Sequence, residues 1–133
     1  MANTGIRSAG DIADFFTAYN ERRYDLLFEK YMSEDCSWYA SEKLLKGKEK
    51  ILNYWTTYHA AFSEKLGTPE NVVFGDGRVY LQVKIQLDFI EDGTFFGRAY
   101  EKGERCTFGC VDYYELDEDH KIRSGLVYIK FFN

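Results

Sequence analysis

Cysteine, histidine and surplus positive charge are all scarce in this chain. Its 3 cysteines, Cys36, Cys106 and Cys110, are an odd number with no CxxC pair, so neither a disulfide framework nor a zinc site is indicated. On one strand Cys106 and Cys110 would stand roughly 13 Å apart, too far to bridge, and the thiols read as free, cytosolic ones. There is no clustered His, Cys and carboxylate spacing, no glycine-rich phosphate loop and no legible Ser-His-Asp set, so no metal and no cofactor is expected. Lys and Arg number 17 against 22 Asp and Glu, a net charge of -5. That balance argues against a nucleic-acid surface, which needs clustered cations to neutralise phosphates. The local basic run Lys43, Lys46, Lys48 and Lys50 is interrupted by Glu42 and Glu49 and reads as a solvated helix start. No run approaches the roughly 20 apolar residues of a membrane span. Met1-Ala2-Asn3-Thr4-Gly5-Ile6-Arg7 lacks the apolar core of a signal peptide, and the expectation is a soluble, cytoplasmic protein with no membrane partner.

Aromatic side chains are abundant by contrast. They make up 18% of the chain, with 11 Tyr, 11 Phe and 2 Trp, and such rings suit a cavity wall as well as a core. Without repeats, low-complexity segments or linkers, residues 1–133 read as a single domain that buries roughly two-thirds of its unfolded surface.

Ser8 or Asp11 can cap a first helix over Ala9 to Asn20, with Ile12, Phe15, Phe16 and Tyr19 at helical spacing. A second helix is predicted over Tyr24 to Met32 with Leu27, Phe28 and Tyr31 inward, leading into a short strand, Cys36 to Ala40. Gly47 breaks the chain before a third helix, Lys48 to Lys65, in which Ile51, Leu52, Trp55, Tyr58, His59 and Phe62 share a side. After Gly67 and Pro69 a meander follows: Asn71 to Phe74, Arg78 to Glu91, Thr94 to Tyr100, Arg105 to Leu116 and Lys121 to Phe132. In the longest strand Val79, Leu81, Val83, Ile85, Leu87 and Phe89 alternate with polar neighbours. In the last, Leu126, Tyr128 and Phe132 oppose Val127, Ile129 and Phe131, and two apolar faces imply a homodimer through the outer sheet face. Helices first and a curled antiparallel sheet afterwards give an α+β domain with a hollow between sheet and helices.

One residue breaks the pattern. Along Arg105 to Leu116 the side chains of Cys106, Phe108, Cys110, Asp112, Tyr114 and Leu116 fall on one face, and Asp112 is its only charge. A carboxylate on an apolar surface finds donors, stays protonated or lines a polar pocket. The last two are how enzymes make acids that work at neutral pH. The alternative is an Asp that simply accepts hydrogen bonds from a Tyr hydroxyl or a Trp indole.

Two segments carry a family resemblance. Phe28-Glu29-Lys30-Tyr31-Met32-Ser33-Glu34-Asp35-Cys36-Ser37-Trp38, followed by Gly47-Lys48-Glu49-Lys50-Ile51-Leu52-Asn53-Tyr54-Trp55, looks like an acidic turn into a first strand and a glycine before a third helix. Val111-Asp112-Tyr113-Tyr114-Glu115-Leu116-Asp117-Glu118-Asp119-His120-Lys121-Ile122 looks like a last hairpin. With the order of elements, these resemble the nuclear transport factor 2-like superfamily, which contains SnoaL-like polyketide cyclases and ketosteroid isomerases, from about Ala9 to Phe132. The resemblance implies three N-terminal helices packed in a curved, mostly antiparallel sheet, a cone-shaped α+β barrel. It matches Asp112 to the protonated aspartic acid of ketosteroid isomerases, whose raised pKa is a known example of such tuning. The isomerase's oxyanion tyrosine falls on Phe15 and its general-base aspartate near Ala40, so the chain departs from that enzyme at both positions.

A protonated Asp112 can donate to a carbonyl and stabilise an enolate, or act as acid and base in turn. His59 is the better placed of the 2 histidines to be the base, since His120 falls in a turn. Tyr19, Trp38, Trp55, Tyr58, Tyr114 and Tyr128 are candidates to line a substrate pocket. Cys110 is another, its thiol pKa raised rather than activated by the neighbouring acid. The expected function is a cofactor-independent isomerase, cyclase or dehydratase acting on a small, mostly apolar carbonyl compound. The alternative is a non-catalytic domain of the same fold that binds a hydrophobic ligand or dimerises.

Overall fold

Ser8 opens the first helix. Its hydroxyl accepts a hydrogen bond from the Asp11 amide, and α1 runs Ala9–Asn20 as the spacing predicts. The computed structural model describes residues 4–40 and 43–131; the first three residues, Glu42 and Phe132, on which parts of the sequence reading fall, lie outside them. Ile12, Phe15 and Phe16 of α1 are buried. The second helix is α-helical only over Tyr24–Leu26 (α2) and widens into a π turn over Leu27–Tyr31. The wider turn carries Leu27, Phe28 and Tyr31 together into the core. Met32, the expected helix end, instead begins β1 (Met32–Ala40).

Two departures from expectation around the third helix have one reason: strand pairing outweighs local pattern. Lys43 and Lys46 belong to β2 (Lys43–Lys46), which pairs antiparallel with β1 and sets Leu45 opposite Trp38. The basic run is therefore divided: Lys43 and Lys46 lie in a strand, while Lys48 and Lys50 open α3 (Lys48–Ala61) as expected. At its far end α3 stops before the predicted Lys65, because Phe62 takes an extended conformation (φ -131, ψ 135). Phe62–Leu66 becomes β3, which lies antiparallel to β5 (Arg78–Phe89) with Glu64 opposite Leu87.

β4 (Glu70–Gly75) also pairs antiparallel with β5, over the half that β3 leaves open. The expected strand from Thr94 to Tyr100 is a small hairpin, β6 (Gly93–Phe95) and β7 (Arg98–Tyr100). It folds at Phe96 and Gly97, both with positive φ. β8 (Arg105–Leu116) has the predicted limits, and β9 spans Ile122–Phe131.

The main sheet has 7 strands, in the order β2-β1-β9-β8-β5-β3 with β4 beside β5. Only β1 and β9 run parallel. Alternation along β5 is as read: Val79, Leu81, Val83, Ile85, Leu87 and Phe89 are all buried. The same face of β8 buries Cys106, Phe108, Cys110, Asp112 and Tyr114, and both rows pack with Ile51 and Trp55 of α3 in one core. The architecture is the expected α+β one, three helices against a strongly curled, mostly antiparallel sheet. No described helix is long and apolar enough to cross a membrane.

Candidate active site

Where helices and concave sheet fail to meet, a cavity of about 510 Å³ remains. α1 supplies Phe15, Phe16 and Tyr19 to its wall, α3 supplies Trp55 and Tyr58, and the sheet supplies Trp38, Phe108, Cys110 and Tyr114. Phe95 and Phe96 of the small hairpin and the exposed Lys43 also line it. Two carboxyl groups interrupt this aromatic lining, Asp112 and Glu64, and they are the buried charged residues of the described chain.

Asp112 is 5% exposed. Its Oδ2 accepts a hydrogen bond from the Tyr114 hydroxyl at 2.6 Å, while Oδ1 is buried and has no partner among the described residues. The carboxyl is pushed up to about 7, chiefly by burial; the Tyr114 bond pulls against this and the negative charge of Glu64 adds to it. With Oδ2 engaged by Tyr114, Oδ1 is the oxygen of Asp112 left free to make a further hydrogen bond.

Trp38 stacks on Tyr114 with ring centres 5.8 Å apart and holds the tyrosine in place. Trp38 in turn lies over Gly125 of β9, where any Cβ would overlap the indole.

Glu64 is 8% exposed and accepts a hydrogen bond on Oε1 from the Tyr19 hydroxyl at 2.5 Å. His59 Nε2 lies 3.2 Å from the same oxygen, and Nδ1 lies 2.6 Å from the Tyr24 hydroxyl. His59 itself does not line the cavity; it stands behind Tyr19 and Glu64, which do. Burial first, and then Glu64, raise the pKa of Tyr19 and Tyr58, so both hydroxyls keep their protons. Burial likewise pushes the Cys110 thiol up, with Asp112 adding to the effect.

A family model described as a SnoaL-like domain matches residues 12–125. The chain belongs to this family. Solved structures share the fold of this SnoaL-like domain at low identity. A SnoaL-like polyketide cyclase from Agrobacterium tumefaciens strain C58 is 14% identical with a TM-score of 0.74, covering 94% of this chain and 93% of that one. SalBIII, an epoxide hydrolase/cyclase-like enzyme of pyran ring formation in the polyether salinomycin, is 19% identical with a TM-score of 0.71, covering 90% and 87%. An LEH-like epoxide hydrolase from M. tuberculosis is 11% identical with a TM-score of 0.66, covering 87% and 77%. No curated protein matches the chain.

Of the residues singled out in the sequence, Asp112, Tyr19, Trp38, Trp55, Tyr58, Cys110 and Tyr114 meet at this cavity of the SnoaL-like domain. Tyr128 does not. β9 pairs with β8 so that Val127 lies opposite Asp112, and this turns Tyr128 to the convex side, 61% exposed. Glu64 went unread because the apolar period of α3 continues through Phe62. The signal that could have found it is the alternation Phe62, Glu64, Leu66 just before Gly67. Among the described residues, no group of three or more His, Cys, Asp or Glu side chains could hold a metal ion.

Proposed function

We propose that this SnoaL-like domain is an isomerase, cyclase or dehydratase that acts on a small, mostly apolar carbonyl compound by acid-base catalysis without a cofactor. The observation that carries this reading is the buried, unpartnered Oδ1 of Asp112 at the wall of an aromatic cavity. Burial raises the carboxyl to about 7, so Asp112 can hold a proton near neutral pH, and Oδ1 is the oxygen free to donate it. A carbonyl oxygen brought to Oδ1 receives the hydrogen bond that the protein leaves unmade, and the bond strengthens as negative charge develops on that oxygen. The neighbouring folds, a polyketide cyclase and an epoxide hydrolase, are in keeping with this chemistry.

The test uses 2-tetralone, a bicyclic ketone that accepts hydrogen bonds and donates none. Its affinity, followed by tryptophan fluorescence, is expected to fall as pH rises through about 7, because ionised Asp112 has nothing to donate. Asp112→Asn, whose amide donates at every pH, is expected to abolish that dependence. Equal pH dependence in the two proteins would reject Asp112 as the donor.

The convex face supports pairing with a second copy of this chain, since Tyr80, Val111 and Tyr128 are 47%, 40% and 61% exposed there. Sedimentation at several protein concentrations tests it, and a monomer throughout would exclude the homodimer.

A further inference from the structure

An acid that donates to a carbonyl needs a base to complete the reaction, and the cavity wall narrows the choice. His59 has no cavity surface. The Cys110 thiol and the Tyr19, Tyr54, Tyr58 and Tyr114 hydroxyls are held protonated by burial and by the carboxyls beside them. Lys43 is a cation at the exposed rim. Glu64 remains, the second buried carboxyl of the wall.

Its surroundings anchor one oxygen and leave the other open. The arrangement that satisfies every group has the Tyr24 hydroxyl donating to His59 Nδ1, His59 Nε2–H donating to Glu64 Oε1, and Tyr19 donating to the same Oε1. The imidazole runs parallel to the Tyr24 ring, with 6° between the planes and 5.9 Å between centres, and hydrogen bonds at both ring nitrogens hold its orientation. Both donors converge on Oε1, and Oε2 takes no hydrogen bond from any described residue. Glu64 therefore presents one anchored and one unengaged oxygen, as Asp112 does. The two groups differ in what they meet: Tyr19 and His59 both reach Glu64, whereas Asp112 has only Tyr114.

We propose that Glu64 is the catalytic base of this cavity, and that its substrates are enolisable ketones bound with the carbonyl toward Asp112 and the acidic C–H toward β3. This rests on the reading of Asp112 given above. In the forward step Glu64 Oε2 takes a proton from the carbon next to the carbonyl, that C–H bond breaks, and its electron pair forms the C=C bond of an enol. At the same time the proton on Asp112 Oδ1 passes to the carbonyl oxygen. Return of the Glu64 proton to a different carbon of a conjugated enol, with return of the enol proton to Asp112, yields the isomerised ketone and restores both carboxyls. No oxidant, reductant or further reactant enters. Tyr19 and His59 act through Glu64 as positioning residues.

Exchange of the C1 hydrogens of 2-tetralone in deuterated buffer, followed by NMR, separates the two carboxyls. The folded wild-type protein is expected to catalyse exchange, and Glu64→Gln to slow it about 100-fold or more with the affinity for the ketone retained. As a second arm, Glu64→Ala is expected to regain exchange in proportion to added formate without any change in its melting temperature, a response that a structural glutamate does not give. Exchange by Glu64→Gln at the wild-type rate, or a wild-type protein that binds the ketone without exchanging it, would overturn the assignment of Glu64 and leave Asp112 untouched. Failure of the wild-type protein to bind 2-tetralone, or binding indifferent to Asp112→Asn at every pH, would overturn the reading of Asp112 itself.

Discussion

Tyr114 and Asp112 stand on one face of β8, and the tyrosine hydroxyl donates to Oδ2 of the acid across 2.6 Å. The bond favours the ionised carboxyl, so it holds the acid below the value that burial alone would set. Tyr114→Phe is accordingly expected to raise the pKa of Asp112 above about 7, by roughly one unit. NMR titration of side-chain labelled protein measures it, with Asp112→Asn assigning the resonance. A lowered value would show that the hydroxyl does not stabilise the anion.

The same acid links stability to pH. The folded-state pKa of Asp112 is raised from 3.8 to about 7, so the folded protein holds this proton more tightly than the unfolded chain. The stabilisation is fully present below about pH 4 and is lost as pH rises through about 7, by up to about 4 kcal/mol. Urea unfolding of wild type and Asp112→Asn across this window isolates the contribution, since other groups titrate alike in both. Curves that run parallel would contradict the burial of a protonated acid.

Gly125 lies beneath the Trp38 indole, and a methyl group there must displace the ring that stacks on Tyr114. Gly125→Ala is expected to destabilise the protein by about 1–3 kcal/mol, the usual range for overpacking. Trp38 fluorescence and the pKa of Asp112 should both change with it. A variant as stable as wild type with unaltered emission would show that the indole shifts at no cost.

Burial pushes the Cys36 thiol up to about 12 and moves Cys110 in the same direction. All 3 cysteines are free and buried. Ellman's reagent is therefore expected to modify them at the rate of unfolding and to react at once in denaturant. A thiol that reacts immediately in the native protein would show an open route to one of these positions.

Much of this was legible in the sequence, and what was not has identifiable causes. Asp112 was readable because alternation along β8 is regular and one charge breaks it. α1 was readable from Ser8 and a clean apolar stripe. Glu64 was hidden because a helical period and a strand period overlap at Phe62, and only the need of β5 for an edge partner decides between them. Tyr128 was misplaced because β9 is apolar on both sides, so its facing depends on register with β8, a long-range property. His59 was correctly seen at the edge of an apolar face, but the direction of its ring depends on Tyr24, Tyr19 and Glu64, which the chain brings from three other elements.

β5 lies between the strands that carry the two acids, with Leu87 opposite Glu64 and Leu81 opposite Asp112. On a flat sheet, positions that far apart along a strand would be roughly 20 Å from one another. Both reach one cavity because the sheet bends. The span between the carboxyls is thus a mechanical setting, stored in the arc of β5 and in no contact between the acids. A substitution on the convex side that relaxed this arc would lengthen the path a proton must bridge and change which pairs of substrate atoms can be served. Every residue lining the cavity would remain as it was.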